Sequence, residues 1–393
     1  MKVLLISHGK DTYPAGLVDI YSYLISKNVD VDFINTEIDN IDSYAYSPDY
    51  VGITTMTQEF NNTSKLSKYV KNRWPKCKLV LGGRHFSSDT VNLSDDQNIP
   101  EADHIVIGEG EYVMFDIISQ TITDRIVIGK PLSLEDYQSI PFPSYDFIKS
   151  KMPAAISAQR SRVLFTRGCP FKCVFCESET GRKPVISKSP DICVSYVKSM
   201  VNGSGYKDIF VYDDVFATNK KWLRDFRDEW IKQKATGKIR CFIHGRMFDE
   251  EILDLLHQIN VTSVCLGAES GDDNVLKMIN KKTTVDDYVR IHNLISSKGK
   301  GMKLECLWML GNITDTNETM KKTVELSKKI GHTHPAWFSY AIPFPGTTFW
   351  KVAKDYGTIV EPDFRTWNNR TLVFIPKDVT ESDMRHWHNL ARS

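Results

Sequence analysis

The chain is 393 residues long and sets 50 Lys and Arg against 49 Asp and Glu, for a formal charge of +1. Apolar residues make up 41% and charged residues 25%, which allows a sizeable core, excludes disorder as the main state and suits two ordinary domains. The balanced charge excludes a protein that works chiefly by attraction to nucleic acid or a membrane surface, because phosphate binding needs clustered, unmatched cations.

From the amino terminus, Val3–Ile6 is a short apolar run that reads as a buried strand. Gly16 to Lys27 places Leu17, Ile20, Tyr21, Leu24 and Ile25 on one helical face. Further strands are predicted at Val31–Ile34, Tyr50–Thr54, Lys78–Leu81 and His104–Ile107, with a helix ending near Trp74-Pro75. Strands alternating with helices predict a doubly wound parallel sheet, Rossmann-like, over 1–135. In such a sheet ligands lie beyond the carboxyl ends of the strands, where Gly82, Gly83, Gly108 and Gly110 fall.

Residues 136–158 carry Pro141, Pro143 and Pro153 with little periodicity and read as an ordered linker. From 159 to 347 the β/α rhythm resumes. Strands are predicted at Val163–Phe165, Asp208–Tyr212, Ile239–Ile243, Ser263–Leu266, Lys303–Leu310 and Trp337–Ile342. Six units in this length fall short of the ~250 residues of a complete eight-unit barrel, so a partial (β/α)6 barrel is expected. Residues 348–393, with Trp350, Tyr356, Phe364, Trp367 and Trp387, read as a short cap.

No apolar run reaches the ~18–20 residues that cross a bilayer, and the amino terminus lacks a full signal-peptide h-region. A cytoplasmic protein is expected. Of eight cysteines, Cys77, Cys193, Cys241, Cys265 and Cys306 are scattered. The other three crowd into Thr166-Arg-Gly-Cys169-Pro-Phe-Lys-Cys173-Val-Phe-Cys176. One loop can wrap three such thiols around one centre. Iron–sulfur clusters take thiolate ligands, four for a typical [4Fe–4S], so three would leave one iron open to a non-protein ligand. Zinc is the chemical alternative, but no second Cys-x-x-Cys or His pair accompanies the loop.

The cysteine spacing, with Phe175 before the last cysteine, resembles the radical S-adenosylmethionine (SAM) enzymes, and Arg167–Cys176 resembles the subfamily with an amino-terminal cobalamin-binding domain. The resemblance spans roughly residues 1–350. It implies a [4Fe–4S] cluster on Cys169, Cys173 and Cys176 whose open iron binds the SAM amino and carboxylate groups. One electron then cleaves SAM to methionine and a 5′-deoxyadenosyl radical. On the same resemblance, Phe175, Asp213, Asp214, Arg246, Glu269, Ser270 and Gly311 lie at or near SAM. Leu266-Gly-Ala-Glu269-Ser270-Gly271 is the clearest of these motifs, followed by Lys281-Lys282. Gly311-Asn-Ile-Thr314 departs from the family's fifth-strand wording, which weakens any side-chain assignment there.

In the first domain the resemblance points to His8, Thr54, Thr55, Gly82, Gly83, Arg84, His85, Gly108, Glu109, Gly110 and Glu111 as the cobalamin site. An Asp-x-His-x-x-Gly motif is absent, so no lower axial ligand is assigned. His332 and His334 are weaker candidates for acid–base or substrate contact. The implied activity is methylation of an unactivated carbon of a small molecule or modified nucleotide, with flavodoxin or ferredoxin as electron donor. Rearrangement or cyclisation is the alternative, and a non-catalytic cofactor-binding module a third reading.

Overall fold

The computed structural model describes residues 1–8, 14–36, 39–87, 101–152, 160–177, 184–204, 208–216, 218–330, 337–363 and 366–393. His332 and His334 lie outside them. The chain divides into two compact units, Met1–Ser161 and Arg162–Ser393.

The first unit is a six-stranded sheet in the order β2-β1-β3-β4-β5-β6. Its strands are β1 (Lys2–Ser7), β2 (Asp30–Asn35), β3 (Tyr50–Thr54), β4 (Lys78–Gly82), β5 (His104–Gly108) and β6 (Ile126–Gly129), and every pairing is parallel. Five match the apolar runs of the sequence. Strand β6 was not expected: it is an edge, and its alternate residues Ile126 and Ile128 are exposed. The strand order reverses direction between β1 and β3, the switch point at which doubly wound sheets bind ligands. Helices α1 (Ala15–Ser26) and α3 (Glu111–Ile118) pack together, while α2 (Phe60–Arg73) lies against β3 and β4. Right-handed crossovers of opposite direction place α1 and α2 on opposite faces.

Residues read as a linker instead form two short helices, α4 (Leu134–Ser139) and α5 (Tyr145–Lys151), within the first unit. Ser133 and Ser144 cap them, each accepting from a backbone N–H in the first turn. Phe147 of α5 stacks on Tyr21 of α1 with centroids 4.2 Å apart. Pro141 and Pro143 lie between the two helices.

The second unit is a six-stranded curled half-barrel in the order β14-β13-β12-β11-β10-β7. Its strands are β7 (Arg160–Val163), β10 (Asp208–Val211), β11 (Lys238–Ile243), β12 (Val261–Glu269), β13 (Lys303–Leu310) and β14 (Phe338–Tyr340). The short pair β8 (Thr166–Arg167) and β9 (Ile186–Ser187) flanks the cysteine loop. Thus the first barrel strand ends at Val163, where the sequence placed its start. Helices α6 (Pro190–Ser204), α7 (Lys220–Lys232), α8 (Glu250–Gln258), α9 (Asp273–Met278), α10 (Val285–Lys298) and α11 (Asn317–Ser327) accompany the strands. Strand alternation sorts the side chains: Ile239, Cys241, Leu304, Cys306, Trp308 and Leu310 are buried, between half-buried residues such as Arg240, Phe242 and Glu305. The tail forms α12 (Thr348–Tyr356), the hairpin β15 (Gly357–Ile359) and β16 (Phe374–Pro376), and α13 (Glu381–Arg392).

One side chain reaches across the sheet. Arg240 on β11 reaches past β12 to pair with Glu305 on β13, and its guanidinium lies 5.9 Å from the Trp337 ring just before β14. These residues therefore share one face of the sheet. Glu305 also accepts from the Ser263 hydroxyl at 2.6 Å. The two side chains are 15% and 17% exposed, so removing one partner leaves the other charge largely shielded from water. Glu305→Ala is therefore expected to cost about 3 kcal/mol, and Arg240→Leu with Glu305→Leu distinctly less, as read from denaturant midpoints of the two variants.

Candidate functional site

The cysteine loop has little regular structure of its own, and neighbouring elements hold it. The Val174 N–H donates to the Ile279 carbonyl at 2.9 Å, and the Val174 carbonyl accepts from the Phe349 N–H at 2.9 Å. Asn280 Nδ2 donates to the Lys172 carbonyl at 2.6 Å, and the Cys176 N–H to the Cys173 carbonyl at 3.0 Å. Between the cysteines, Phe171 stacks on His244 at the end of β11, with centroids 3.5 Å apart and planes 8° from parallel. His244 Nε2 donates to the Lys281 carbonyl at 3.0 Å while Nδ1 accepts from the Arg246 N–H at 3.3 Å. Burial, with Lys281 nearby, pushes the His244 pKa down to about 3. The imidazole is thus a neutral plate under the loop.

Cys173 is buried and Cys169 and Cys176 are half-buried. Burial raises the Cys173 thiol to about 12 and also raises Cys169, and each of the two feels the other cysteines' charge. Thiols raised by burial and by one another's charge need a cationic or metal partner to ionise together. Among the described residues no three His, Cys, Asp or Glu side chains converge on a single metal ion. A soft, thiolate-ligated centre larger than one ion fits this donor set.

Beside the loop, β12 ends at Glu269, whose backbone sits at φ +65°. That is uncommon for a residue with a side chain and is a mark of functional sites. Glu269 Oε1 accepts from Lys281 Nζ at 2.8 Å, both side chains being about nine-tenths buried. Lys281 Nζ also lies 5.9 Å from the Phe175 ring. Burial pulls the Lys281 pKa down, but Glu269, Cys173 and Cys176 outweigh it and leave it raised. The space belongs to Gly267: a Cβ there would come within 2.5 Å of Glu269 Oε1 and 2.8 Å of Lys281 Nζ. Tyr288 braces the strand end by donating to the Ala268 carbonyl at 2.6 Å.

Cys169, Cys173, Cys176, Phe175 and Glu269 are therefore brought together. Asp214 and Arg246 are exposed at neighbouring strand ends. Three others turn inward. Asp213 is fully buried, and its Oδ1 accepts from the Phe165 and Thr166 N–H groups at 2.7 and 3.1 Å. Ser270 faces α11, its hydroxyl accepting from the Asp272 N–H at 3.2 Å and lying 3.4 Å from Thr323 Oγ1. Gly311 donates to Asp315 Oδ2 at 3.0 Å and presses on Met384, whose Cε would be 2.3 Å from a Cβ. Lys281 follows the clearest of the SAM motifs and His244 stands two residues before Arg246, yet neither was given a role. For His244 the signal was its position just after a strand.

In the first unit a cavity opens along the carboxyl ends of β1, β3, β4 and β5 beneath α1 and α3, with roughly 610 Å³ of empty space including its open mouth. Thr54, Gly82, Gly83, Gly108, Glu109, Gly110 and Glu111 line it, with Leu5, Ile20 and Met114 deeper in. Gly83 and Gly108 need positive φ, and a Cβ on either would lie under 3 Å from backbone. Arg84 is exposed. His8, Thr55 and His85 do not line the cavity. They pack against α2: His8 Nε2 is 2.8 Å from Thr63 Oγ1, Thr55 Oγ1 accepts from Thr63, and His85 stacks on Phe60 at 4.5 Å. Burial lowers the His8 pKa to about 4.

Residues 163–327 match the Radical SAM superfamily model and residues 1–118 the B12 binding domain model. An uncharacterized methyltransferase of Pyrococcus horikoshii is 27% identical over 330 residues, which is 78% of this chain and 70% of that protein. The anaerobic magnesium-protoporphyrin IX monomethyl ester cyclase of Rubrivivax gelatinosus is 24% identical across 86% of this chain, which spans 64% of the cyclase. The fold matches the radical SAM methyltransferase TsrM of Kitasatospora setae, solved with cobalamin and a [4Fe–4S] cluster, at a TM-score of 0.77, with 15% identity over 99% of this chain and 90% of that one.

Burial raises the Asp213 pKa to about 7, above its unfolded 3.8. The native state then holds a proton that the unfolded chain has released, so stability is expected to fall as pH rises from about 4 to about 7. Asp213→Asn should flatten that slope, measured by urea midpoints across the range.

Proposed function

We propose that this radical SAM protein, with its amino-terminal B12-binding domain, is a cobalamin-dependent methyltransferase acting on an unactivated carbon of a small molecule. The observation that carries the reading is the pinned three-thiol loop beside the Glu269–Lys281 pair, in a chain whose other unit holds a glycine-lined cavity. When bound, the cluster would supply the electron that cleaves SAM and the corrinoid would supply the methyl carrier. Cys169, Cys173 and Cys176 hold the first, and the cavity over β1, β3, β4 and β5 the second.

The chain's own residues orient and shelter. Phe171 and His244 fix the loop against β11. Glu269 presents a carboxylate to the SAM amine or ribose, and Gly267 leaves the backbone open to close approach. Neutral His244, hydrogen-bonded at both nitrogens, neither takes nor gives a proton here. A flavodoxin or ferredoxin is the expected donor, and a small molecule or modified nucleotide the substrate. Cyclisation is the second reading, favoured by the similarity to a protein named as a cyclase.

Anaerobic reconstitution is expected to yield about four iron and four sulfide per chain. Cys173→Ala should lose the iron and, with SAM and a reductant, the formation of 5′-deoxyadenosine; a colourless wild-type protein holding one zinc would sink the reading. Supplied with hydroxocobalamin, the wild type should keep corrin absorbance through gel filtration and, once reduced, convert it to the methylcobalamin spectrum on adding SAM. Retention without that conversion favours cyclisation. Gly110→Val, whose Cβ would stand 2.9 Å from Ile20 Cδ1, should lose the corrin absorbance and keep its iron.

A further inference from the structure

Lys281 is a buried cation with one hydrogen-bonded carboxylate beside it. The chain just before Lys281 is tied to the cysteine loop, with Asn280 Nδ2 donating to the Lys172 carbonyl at 2.6 Å, and the Lys281 carbonyl accepts from His244, the ring under Phe171. The Phe175 ring, next to Cys176, lies 5.9 Å from Nζ. A Cβ at Gly267 would stand 2.8 Å from Nζ, so the glycine is what leaves room for the ammonium here. The ammonium is thus held against the residue that precedes Cys176, with its carboxylate partner at 2.8 Å.

An electron added to a thiolate-bound cluster adds negative charge to a poorly solvated site. A fixed cation there stabilises the reduced form more than the oxidised one, and the effect is large because little water screens it. The neighbouring carboxylate opposes it in part.

We propose that Lys281 raises the reduction potential of the cluster held by Cys169, Cys173 and Cys176, bringing it within reach of a protein electron donor, and that Glu269 offsets part of this rise. Charge is what matters in this role, rather than shape. The inference rests on the cluster assignment under Proposed function.

The test is an anaerobic potentiometric titration of reconstituted full-length protein, without SAM, following the reduced cluster by electron paramagnetic resonance. In Lys281→Met the reduced-to-oxidised ratio at a fixed potential is expected to fall about tenfold, which is about 59 mV for a one-electron couple. Lys281→Arg should stay within about threefold of wild type, and Glu269→Gln should shift the opposite way. If Lys281→Met carries full iron and sulfide but shifts by less than about threefold, the inference fails and the cluster assignment stands. An equal fall in Lys281→Arg overturns it too. Should Lys281→Met not take up iron, Glu269→Gln decides: a rise supports the inference and no change overturns it. A wild type without iron and sulfide overturns both.

Discussion

A loop of three cysteines within eight residues makes almost no hydrogen bonds to itself, so its shape must come from outside. In this chain the outside is the row of carboxyl ends that a parallel half-barrel gathers at one edge. The Ile279 carbonyl, the Asn280 amide, the Phe349 N–H and the His244 ring arrive from three different β/α units, yet all meet the loop within hydrogen-bonding or stacking distance. Parallel strands make this possible because every crossover returns the chain to the same end of the sheet. The same constraint organises the first unit, where the ends of four strands open one cavity.

Charge is handled by pairing rather than by exposure. Glu269 and Lys281 neutralise one another beside the thiols, and Arg240 and Glu305 do so lower on the strands. Each is costly to break and contributes modestly when whole. What such pairs supply is direction: they fix which face of the curled sheet is polar and where a charged ligand meets a counter-charge. A chain with almost no net charge needs its recognition placed inside in this way.

Much of this was legible in the sequence because its signals are periodic or local. Apolar runs gave five of the six strands of the first sheet, and the spacing of Cys169, Cys173 and Cys176 gave the loop. The sixth strand escaped because an edge strand with Ile126 and Ile128 in solvent lacks the buried run that marks its neighbours. Asp213 and Ser270 turn away from the open face and Gly311 offers only its backbone, since one residue of strand parity decides whether a side chain meets the helices or the open face. His8, Thr55 and His85 were misplaced for the same reason, falling on the α2 side of their sheet. Lys281 was hidden by distance: only the return of the chain after α9 brings it to Glu269.

The stack of Phe171 on His244 also bears on how the centre is assembled. Both imidazole nitrogens are committed to backbone partners, and the loop's own anchors are protein groups. Ordering a loop around a ligand ordinarily consumes conformational entropy residue by residue. Here that cost is met during folding of the half-barrel. The half-barrel thus holds the backbone of the cysteine loop through its own hydrogen bonds.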